Sequence, residues 1–459
     1  MFNINSYRVI SFFVFVFLSS FAVFAAPPAN DNFANAEQIG NGTFFTADFS
    51  ASNVDATSEA GEPNQSNFGA GKSIWYKWTA PADPRPMQIA THGTAFKVFV
   101  NIYSGTALNN LVMLTNVSYF IDASRGSYVL FFPQPNTTYY FSLDGVSANP
   151  VHHQSGIIKV SLAPTINRQS SDFDRDGKTD IGVFRPSNGA WYMQRSSSGG
   201  IITNNWGTNG DIPVTGDFKA GGFVYGNGDY LLYRPSTGTF LLDYGSSPAP
   251  PTYFQWGQAG DIPVTGDFFR NNEGGYHSVT DFGIFRTSNG EWYFAPTNFD
   301  GTVTSFYGIK FGQAGDIPVW GDYDLDAKSD YGVFRPSTGT WYINSSQNGL
   351  IVYNWGKSGD IPVRGDFDGD GRNDFVVYRP SEGNWYVTRS SNNTWYVRKW
   401  GANGDVPLSG DYDGDGKFDL ALFRPSNSTF YIASSALGTT TIQQWGMTGD
   451  IPLSRCLPF

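Results

Sequence analysis

Short apolar segments alternate with turn residues along nearly the whole chain. The segments are rich in aromatic and β-branched residues, and clusters of Gly, Pro, Asn and Asp separate them. Residues 73–78, 97–103, 128–132 and 138–143 are typical. Such runs predict β-strands, whereas long stretches with apolar residues at helical spacing are missing. We therefore expect an all-β protein.

The N-terminal part of the chain, residues 27–165, carries the strand pattern of an antiparallel β-sandwich. Successive side chains of a strand point to opposite faces, so Trp75 and Trp78 cannot both lie on the face of Tyr76. We expect both tryptophans to pack in the sandwich core; the alternative is a platform on which a sugar stacks. Residues 166–171 form a linker to the rest of the chain.

Residues 172–459 are built of repeats with a period of about 45 to 55 residues, which is typical of propellers and solenoids. In one repeat, residues 360–365, 374–379, 384–389 and 394–400 predict four antiparallel strands, the content of one propeller blade. Three anchors recur: a Gly-Asp-Ile/Val-Pro sequence (Asp211, Asp261, Asp316, Asp360, Asp405, Asp450), an Arg (Arg185, Arg234, Arg286, Arg335, Arg379, Arg424) and an aromatic-Gly pair (Trp206, Trp256, Phe311, Trp355, Trp400, Trp445).

The two ends of the repeat array do not match. The first repeat has no Gly-Asp-Ile-Pro strand, and the chain finishes with an unpaired strand of that kind at residues 450–453. An open solenoid would leave sheet edges exposed, whereas a C-terminal strand that completes the first blade removes them. We therefore predict a β-propeller of six four-stranded blades that the C-terminal strand closes.

An acidic loop precedes a strand in four of the repeats. In the loop from Asp366 to Asp374, Asp occupies positions 1, 3, 5 and 9, and Gly371 at position 6 permits a positive φ. Hard oxygen ligands that converge in this way suit Ca²⁺. An EF-hand would continue with Glu at position 12 and a helix, but Val377 stands there within a strand segment. A single such loop is also typical of a solvated acidic turn, whereas four copies in register favour calcium.

The predicted metal ligands share the odd positions of the loop. In one loop, which runs from Asp322 to Asp330, Ala327 replaces the glycine of position 6. The segments after Asp217 and Asp267 lack the second and third carboxylates, so calcium binding there stays open, and we expect features specific to this protein in those two loops. The predicted ligands are Asp172, Asp174, Asp176, Lys178, Asp180, Asp322, Asp324, Asp326, Lys328, Asp330, Asp366, Asp368, Asp370, Arg372, Asp374, Asp411, Asp413, Asp415, Lys417 and Asp419.

The repeats resemble the FG-GAP/VCBS repeat family, which includes the integrin α-subunit propeller, over nearly all of residues 171–459. This resemblance implies Ca²⁺ in the blade loops and a role in adhesion or recognition. Residues 27–33, 71–81 and 138–141 look like the bacterial pre-peptidase C-terminal (PPC-like) domain. That second resemblance implies an accessory jelly-roll module of a secreted protein that has no catalytic role.

Residues 1–26 have the features of a secretory signal peptide. Arg8 is followed by an apolar run and by the small residues Ala25 and Ala26. The alternative is a retained membrane anchor, which the shortness of the run argues against. We therefore expect a soluble monomer that is secreted or held at the cell surface, with no membrane span after the signal peptide is removed.

The net charge of −11 is explained by the metal loops rather than by a basic partner. The four loops contain sixteen Asp, which exceeds the whole acidic surplus. Lys and Arg do not cluster, so nucleic acid is not an expected partner.

Other conspicuous residues have structural interpretations. We expect the six repeated Arg to bridge strands or to pair with loop carboxylates, and the Trp at repeat positions to pack between blades rather than to form a sugar site. Cys456, the only cysteine, cannot form an internal disulfide and is predicted to be a small apolar filler. Arg364, Gly365 and Asp366 spell an integrin-binding tripeptide, but Thr215, Thr265 and Trp320 occupy the Arg364 position in other repeats.

The sequence favours a binding role over catalysis. The four histidines, His92, His152, His153 and His277, occupy no repeat position and show no spacing that joins them to a nucleophile or a metal ligand. We therefore predict no catalytic residue, calcium as the only cofactor, and a non-catalytic module that displays loops to an extracellular glycan or protein. One alternative is a secreted polysaccharide-active enzyme with an accessory sandwich. Another is a structural component of the cell envelope.

Overall fold

The structure is a computed structural model. It describes residues 26–40, 47–63, 71–81, 87–91, 94, 96–115, 119–120, 127–131, 133–146, 154–164, 171–174, 176, 178–216, 229–243, 251–269, 280–296, 303, 305–326, 328–436 and 438–456. The predicted signal peptide up to Ala25, the four histidines and Asp217 lie outside these residues. Within them, no helix has both the length and the apolar character needed to cross a membrane.

The N-terminal part forms two five-stranded sheets. Its strands are β1 (Glu37–Gln38), β2 (Ala47–Ser52), β3 (Ser73–Thr79), β4 (Met87–Ala90), β5 (Lys97–Ser104), β6 (Val112–Thr115), β7 (Tyr119–Phe120), β8 (Ser127–Phe131), β9 (Thr138–Val146) and β10 (Ile157–Pro164), and short 3₁₀ helices cover Phe33–Asn35 and Leu108–Asn110. The strand orders are β1-β3-β9-β5-β6 and β2-β10-β4-β8-β7. All neighbouring strands are antiparallel except β1 and β3, which run parallel.

Both sandwich tryptophans are buried, on opposite faces of β3. Trp78 shares one apolar cluster with Tyr76 and Phe141, whereas Trp75 packs with Phe33 and Tyr103. The second face is buried because the segment that contains the first 3₁₀ helix lies against it, with the Phe33 and Trp75 rings 5.3 Å apart. The prediction that these tryptophans pack in the core is confirmed.

The described residues of the repeat region form six four-stranded antiparallel sheets, named blades 1 to 6 in chain order. Blade 1 combines β11 (Ile181–Arg185), β12 (Ala190–Gln194) and β13 (Ile201–Asn205) with β34 (Ile451–Pro452) from the C-terminus. Blade 2 contains β14 (Ile212–Val214), β15 (Tyr230–Arg234), β16 (Thr239–Asp243) and β17 (Thr252–Gln255), and blade 3 contains β18 (Asp261–Gly266), β19 (Asp281–Arg286), β20 (Glu291–Ala295) and β21 (Tyr307–Lys310). Blade 4 contains β22 (Ile317–Gly321), β23 (Asp330–Arg335), β24 (Thr340–Ser345) and β25 (Gly349–Asn354), and blade 5 contains β26 (Ile361–Val363), β27 (Phe375–Arg379), β28 (Asn384–Thr388) and β29 (Trp395–Lys399). Blade 6 contains β30 (Val406–Leu408), β31 (Leu420–Arg424), β32 (Thr429–Ala433) and β33 (Thr440–Gln444). The all-β propeller prediction is confirmed.

The turn between the second and third strands of a blade contains a residue with a positive φ, which is glycine in blades 1 to 5 and Ser428 in blade 6. In blade 5, Gly383 has a φ of 62° and donates from its amide to the carbonyl of Arg379. A Cβ at Gly383 would lie 2.3 Å from the carbonyl oxygen of Gly401, which belongs to the aromatic-Gly pair of the same blade. Two of the sequence anchors therefore meet at this turn.

The six repeated arginines form bidentate ion pairs with buried aspartates. In blade 5, Nε and Nη2 of Arg379 lie 2.7 and 2.9 Å from the two carboxylate oxygens of Asp360. The same pair recurs in every blade: Arg185–Asp450, Arg234–Asp211, Arg286–Asp261, Arg335–Asp316 and Arg424–Asp405. The arginines therefore bridge strands, as predicted, but the expected alternative of pairing with the metal-loop carboxylates is wrong for these six. Their partner is the Asp of Gly-Asp-Ile/Val-Pro.

The last strand of the chain completes the first blade. Val183 and Phe184 of β11 pair with Pro452 and Ile451 of β34, and the Leu453 amide donates to the Gly182 carbonyl at 3.0 Å. Arg185 takes its partner Asp450 from the other end of the repeat region. The predicted pairing of the C-terminal strand with the first blade is confirmed.

The repeated tryptophans pack within and between blades. Trp191, Trp292, Trp341 and Trp385, on the third strands, are fully buried. Three of the tryptophans that directly follow a fourth strand donate from Nε1 to a carbonyl of the next blade: Trp206 to Leu241, Trp355 to Tyr386, and Trp445 to Tyr192. The last of these bonds joins blade 6 to blade 1. The predicted packing role is confirmed for these residues.

Cys456 is a buried free thiol in the apolar cluster of blades 5 and 6. Burial raises the pKa of its thiol to about 12. Its predicted role as an apolar filler is confirmed.

Candidate metal centre

Among the described residues, four groups of three carboxylates converge. Each group joins positions 1, 3 and 9 of a predicted metal loop, and one oxygen from each carboxylate lies within 4.8 Å of the others. The groups, called trios below, are Asp172, Asp174 and Asp180 in blade 1; Asp322, Asp324 and Asp330 in blade 4; Asp366, Asp368 and Asp374 in blade 5; and Asp411, Asp413 and Asp419 in blade 6.

Backbone amides fold the loops of blades 4, 5 and 6 around their first carboxylates. In blade 5, the two carboxylate oxygens of Asp366 accept hydrogen bonds from the amides of Gly369 (2.5 Å) and Gly371 (2.8 Å). These glycines have φ values of 87° and 91°, a region that residues with a Cβ rarely adopt. Asp374, just before β27, accepts the amide of Phe367 at 2.7 Å and so ties the end of the loop to its beginning.

The blade 4 loop keeps this shape without glycine at position 4. Leu325 stands there with a φ of 67°, and its amide donates to Asp322 at 2.6 Å. A bulky residue in the left-handed region carries backbone strain. The three carboxylates of this loop nevertheless converge as they do in blade 5.

The side chains at positions 5 and 7 do not join the trios. In blade 5, the guanidinium of Arg372 at position 7 binds Asp370 at position 5, with Nη2 2.9 Å from Oδ2. Lys328 and Asp326 form the same kind of pair in blade 4. The predicted ligands that lie outside the trios are Asp176, Lys178, Asp326, Lys328, Asp370, Arg372, Asp415 and Lys417.

A serine-containing turn after the third strand holds the outer oxygens of the loop. In blade 5, the Ser390 amide donates to Asp374 at 2.7 Å, and the Ser391 hydroxyl donates to Asp368 at 2.6 Å. The Ser390 hydroxyl also donates to Asp370, at 2.9 Å. These serines therefore fix the orientation of two trio carboxylates.

The residues predicted for the metal site do not include these serines, although a repeated Ser-Ser pair in the sequence indicates them. A Ser-Ser pair recurs close to sixteen residues after position 9, at 196–197, 345–346, 390–391 and 434–435. In blades 4 and 6, the hydroxyl that binds the position 3 carboxylate comes from the first serine, Ser345 or Ser434, rather than from the second. Either the first or the second serine of the pair can therefore bind the position 3 carboxylate.

The trios concentrate buried negative charge. Burial, together with the neighbouring Asp368 and Asp366 carboxylates, raises the pKa of Asp374 to about 8. Burial likewise raises the pKa of Asp180 to about 6, and of Asp330 and Asp419 to about 7. Carboxylates held together out of water favour either a proton or a cation.

The donor set fits a hard divalent cation. Each trio presents carboxylate oxygens, the ligand type that Ca²⁺ prefers, and no nitrogen or sulfur ligand. Asp174 belongs to the blade 1 trio. Among the described residues, its Oδ1 atom is buried and has no hydrogen-bond partner. A cation bound to the trio would supply the missing partner.

Blades 2 and 3 show no such trio within the described residues. In blade 3, Asp281 corresponds to position 9 and accepts the amides of Phe268 (2.9 Å) and Phe269 (3.1 Å). Blade 3 thus retains the hydrogen bond between position 9 and the beginning of the loop. Most of both degenerate loops, residues 217–228 and 270–279, lies outside the described residues.

Arg364, the first residue of the integrin-binding tripeptide, lies inside the repeat framework. Its guanidinium stacks on the Trp320 ring of the preceding blade at 3.4 Å. The Arg364 carbonyl accepts the Ser409 hydroxyl of the next blade at 2.6 Å. Asp366 belongs to the blade 5 trio.

Comparisons with known proteins give structural likeness only. No protein-family model matches the chain, and no curated protein matches it. Similar solved structures include a streptogramin B lyase (TM-score 0.38, 9% identity, 62% of this chain and 87% of that one). Others are an Agrocybe aegerita lectin that recognises non-reducing terminal N-acetylglucosamine (0.36, 14%, 61% and 91%) and AztD from Citrobacter koseri (0.32, 7%, 60% and 98%). All three TM-scores are below 0.5. The fold is therefore assigned from the observed sheets rather than from these structures.

Proposed function

We propose that this protein is a secreted, calcium-binding β-propeller of the FG-GAP/VCBS type that acts as a non-catalytic binding or adhesion module, with a PPC-like sandwich as its accessory domain. The observation that carries the proposal is the recurrence of the carboxylate trio in four blades. A catalytic centre needs one asymmetric set of groups, whereas four equivalent sites are typical of structural metal binding.

The repeated polar residues support a framework role. The repeated arginines pair with the Asp of Gly-Asp-Ile/Val-Pro, and the serine turns bind the loop carboxylates. A rigid framework of this kind can hold variable loops in fixed positions, which is how many binding proteins separate recognition from stability. We assign ligand contact to the two degenerate loops, 217–228 and 270–279, because the repeat pattern is broken there.

Calcium, when bound, would neutralise the trio carboxylates. Positions 1, 3 and 9 of each loop would hold it, and the serine turn would keep the carboxylates of positions 3 and 9 in place. The loops would then be ordered at the millimolar calcium concentrations found outside cells.

Ligand binding is tested with the full-length secreted chain on arrays of glycans and extracellular proteins, with millimolar Ca²⁺ and with EDTA. Any polysaccharide that binds is also incubated with the protein and assayed for new reducing ends or unsaturated products. We expect a defined ligand that binds in calcium, weakens in EDTA and is released unchanged. Breakdown of the bound polysaccharide would replace the binding role with the enzymatic alternative.

A further inference from the structure

The metal loops of neighbouring blades are joined by backbone hydrogen bonds. In each case, the amide at position 8 of one loop donates to the carbonyl at position 1 of the loop in the preceding blade. The bonds run from Asn373 to Asp322 (2.6 Å), from Phe418 to Asp366 (2.7 Å) and from Thr179 to Asp411 (2.6 Å). The third bond connects blade 1 to blade 6, the two ends of the repeat array.

Each of these bonds connects two trios over a very short path. Position 8 directly precedes the carboxylate of position 9, and position 1 contributes its own carboxylate to the trio of the preceding blade. Asn373, for example, is followed by Asp374 of the blade 5 trio, and its amide binds Asp322 of the blade 4 trio. Ordering one loop therefore positions a ligand-bearing residue of the next.

The loops are also in direct contact, because a glycine precedes position 1. A Cβ at Gly365 would lie 2.0 Å from the Phe418 ring, and a Cβ at Gly410 would lie 2.5 Å from Oγ1 of Thr179. Close packing of this kind transmits displacements rather than absorbing them. A loop therefore cannot change its shape without disturbing the position 8 residue of the next blade.

The linked trios occupy consecutive blades. Blades 4, 5, 6 and 1 each carry a trio, and bonds join 4 to 5, 5 to 6 and 6 to 1. The contact extends one blade further, since the Ser329 amide of blade 4 donates to the Asp267 carbonyl of blade 3 at 2.5 Å. Among the described residues, the trios thus occupy one continuous arc of four blades, and the backbone contact extends beyond it to blade 3.

We propose that the four sites bind calcium cooperatively along this arc. The inference rests on the proposed calcium binding and adds a coupling between sites. A cation at one trio fixes positions 1 and 9 of its loop and so lowers the cost of ordering the adjoining loop. Because one bond of the arc joins blade 1 to blade 6, calcium also tightens the junction between the two ends of the propeller.

Hydrogen exchange measured by mass spectrometry tests the coupling loop by loop. The metal-free full-length chain is titrated with Ca²⁺, and the protection midpoint of each loop peptide is recorded. Asp374→Asn removes a blade 5 ligand, and we expect it to raise the midpoints of the blade 4 and blade 6 loops about fivefold or more. The blade 1 loop, which has no direct bond to blade 5, should shift less. The control Asp55→Asn, at an exposed position of the sandwich, should leave all four midpoints unchanged.

A second variant leaves every ligand in place. Gly410→Ala inserts a methyl group against Thr179 at a glycine without a positive φ, so it disturbs only the contact between blades 6 and 1. We expect the midpoints of those two loops to rise severalfold while all four loops still respond to calcium. If both variants leave the neighbouring midpoints within twofold of wild type, the sites are independent and the coupling is wrong. If no wild-type loop responds to calcium, the calcium proposal itself fails.

Discussion

The ion pair between Arg185 and Asp450 offers a direct test of how the repeat region is closed. Its internal counterpart, Arg379 with Asp360, has the same bidentate geometry. The partners of the internal pair are 19 residues apart, whereas Arg185 and Asp450 are 265 residues apart. Substituting the Asp of each pair by Asn therefore compares one chemical change at two topological positions.

The two substitutions should cost similar free energies of unfolding. The Asp450 and Asp360 side chains are 1% and 0% exposed, and the Arg185 and Arg379 side chains are 18% and 12% exposed. Breaking a buried pair costs about 3 to 5 kcal/mol, and solvent contact at the arginine reduces this to roughly 2 to 3 kcal/mol. For a region of this size, we expect the melting temperature to fall by about 4 to 6 °C.

Differential scanning calorimetry in calcium buffer measures both variants against wild type. Asp55→Asn, at an exposed position of the sandwich, serves as the control and should not change the melting temperature. If Asp450→Asn changes it by less than about 1 °C while Asp360→Asn lowers it as expected, β34 does not hold the first blade and the closure is refuted.

Three further predictions address the blades and loops. Deletion of residues 450–459 should lower the melting temperature strongly and produce oligomers in size-exclusion chromatography, because it exposes two strand edges; a monomer that melts like the full-length chain would contradict closure. Ser391→Ala should weaken calcium binding in blade 5 about tenfold in calorimetric titration, because its hydroxyl orients Asp368, whereas the exposed Ser381→Ala should have no effect. Cys456 should resist a disulfide reagent at pH 8 until denaturant is added, because burial and the raised pKa keep the thiol protonated; rapid reaction of the folded protein would contradict its burial.

The fold follows from local patterns that the sequence displays openly. Strand runs closed by Arg-Pro-Ser and followed by aromatic-Gly anchors predict the four strands of each blade, and the observed β26 to β29 agree with the predicted segments. The missing first strand and the surplus last strand identify how the two ends of the repeat array meet. The strands and anchors can be recognised in the sequence because each of them recurs in every repeat.

The partners of the repeated side chains are harder to predict. Arg379 stands close in sequence to the metal loop, yet it binds Asp360, because the antiparallel register of β26 and β27 brings that carboxylate beside it. Pairing across a sheet depends on register, which composition and spacing do not specify.

In the metal loops, too, some features could be predicted from the sequence and others could not. Positions 1, 3 and 9 converge as the pattern predicts, but Asp370 instead binds Arg372 and Ser390. The partners of Asp370 depend on the serine turn, which comes close to the metal loop only when the third and fourth strands of the blade have formed. The contacts between loops of different blades are likewise tertiary, since nothing in the local sequence of Asn373 indicates a bond to Asp322.

Calcium stoichiometry tests the central claim most directly. The metal-free full-length chain is equilibrated by dialysis against millimolar Ca²⁺, and bound metal is counted by elemental analysis. The account predicts four ions per chain, three after Asp368→Asn, and four after the control Asp281→Asn. A wild-type chain that binds no calcium, or an Asp368→Asn variant that still binds as many ions as wild type, would contradict the assignment of the trios as calcium sites.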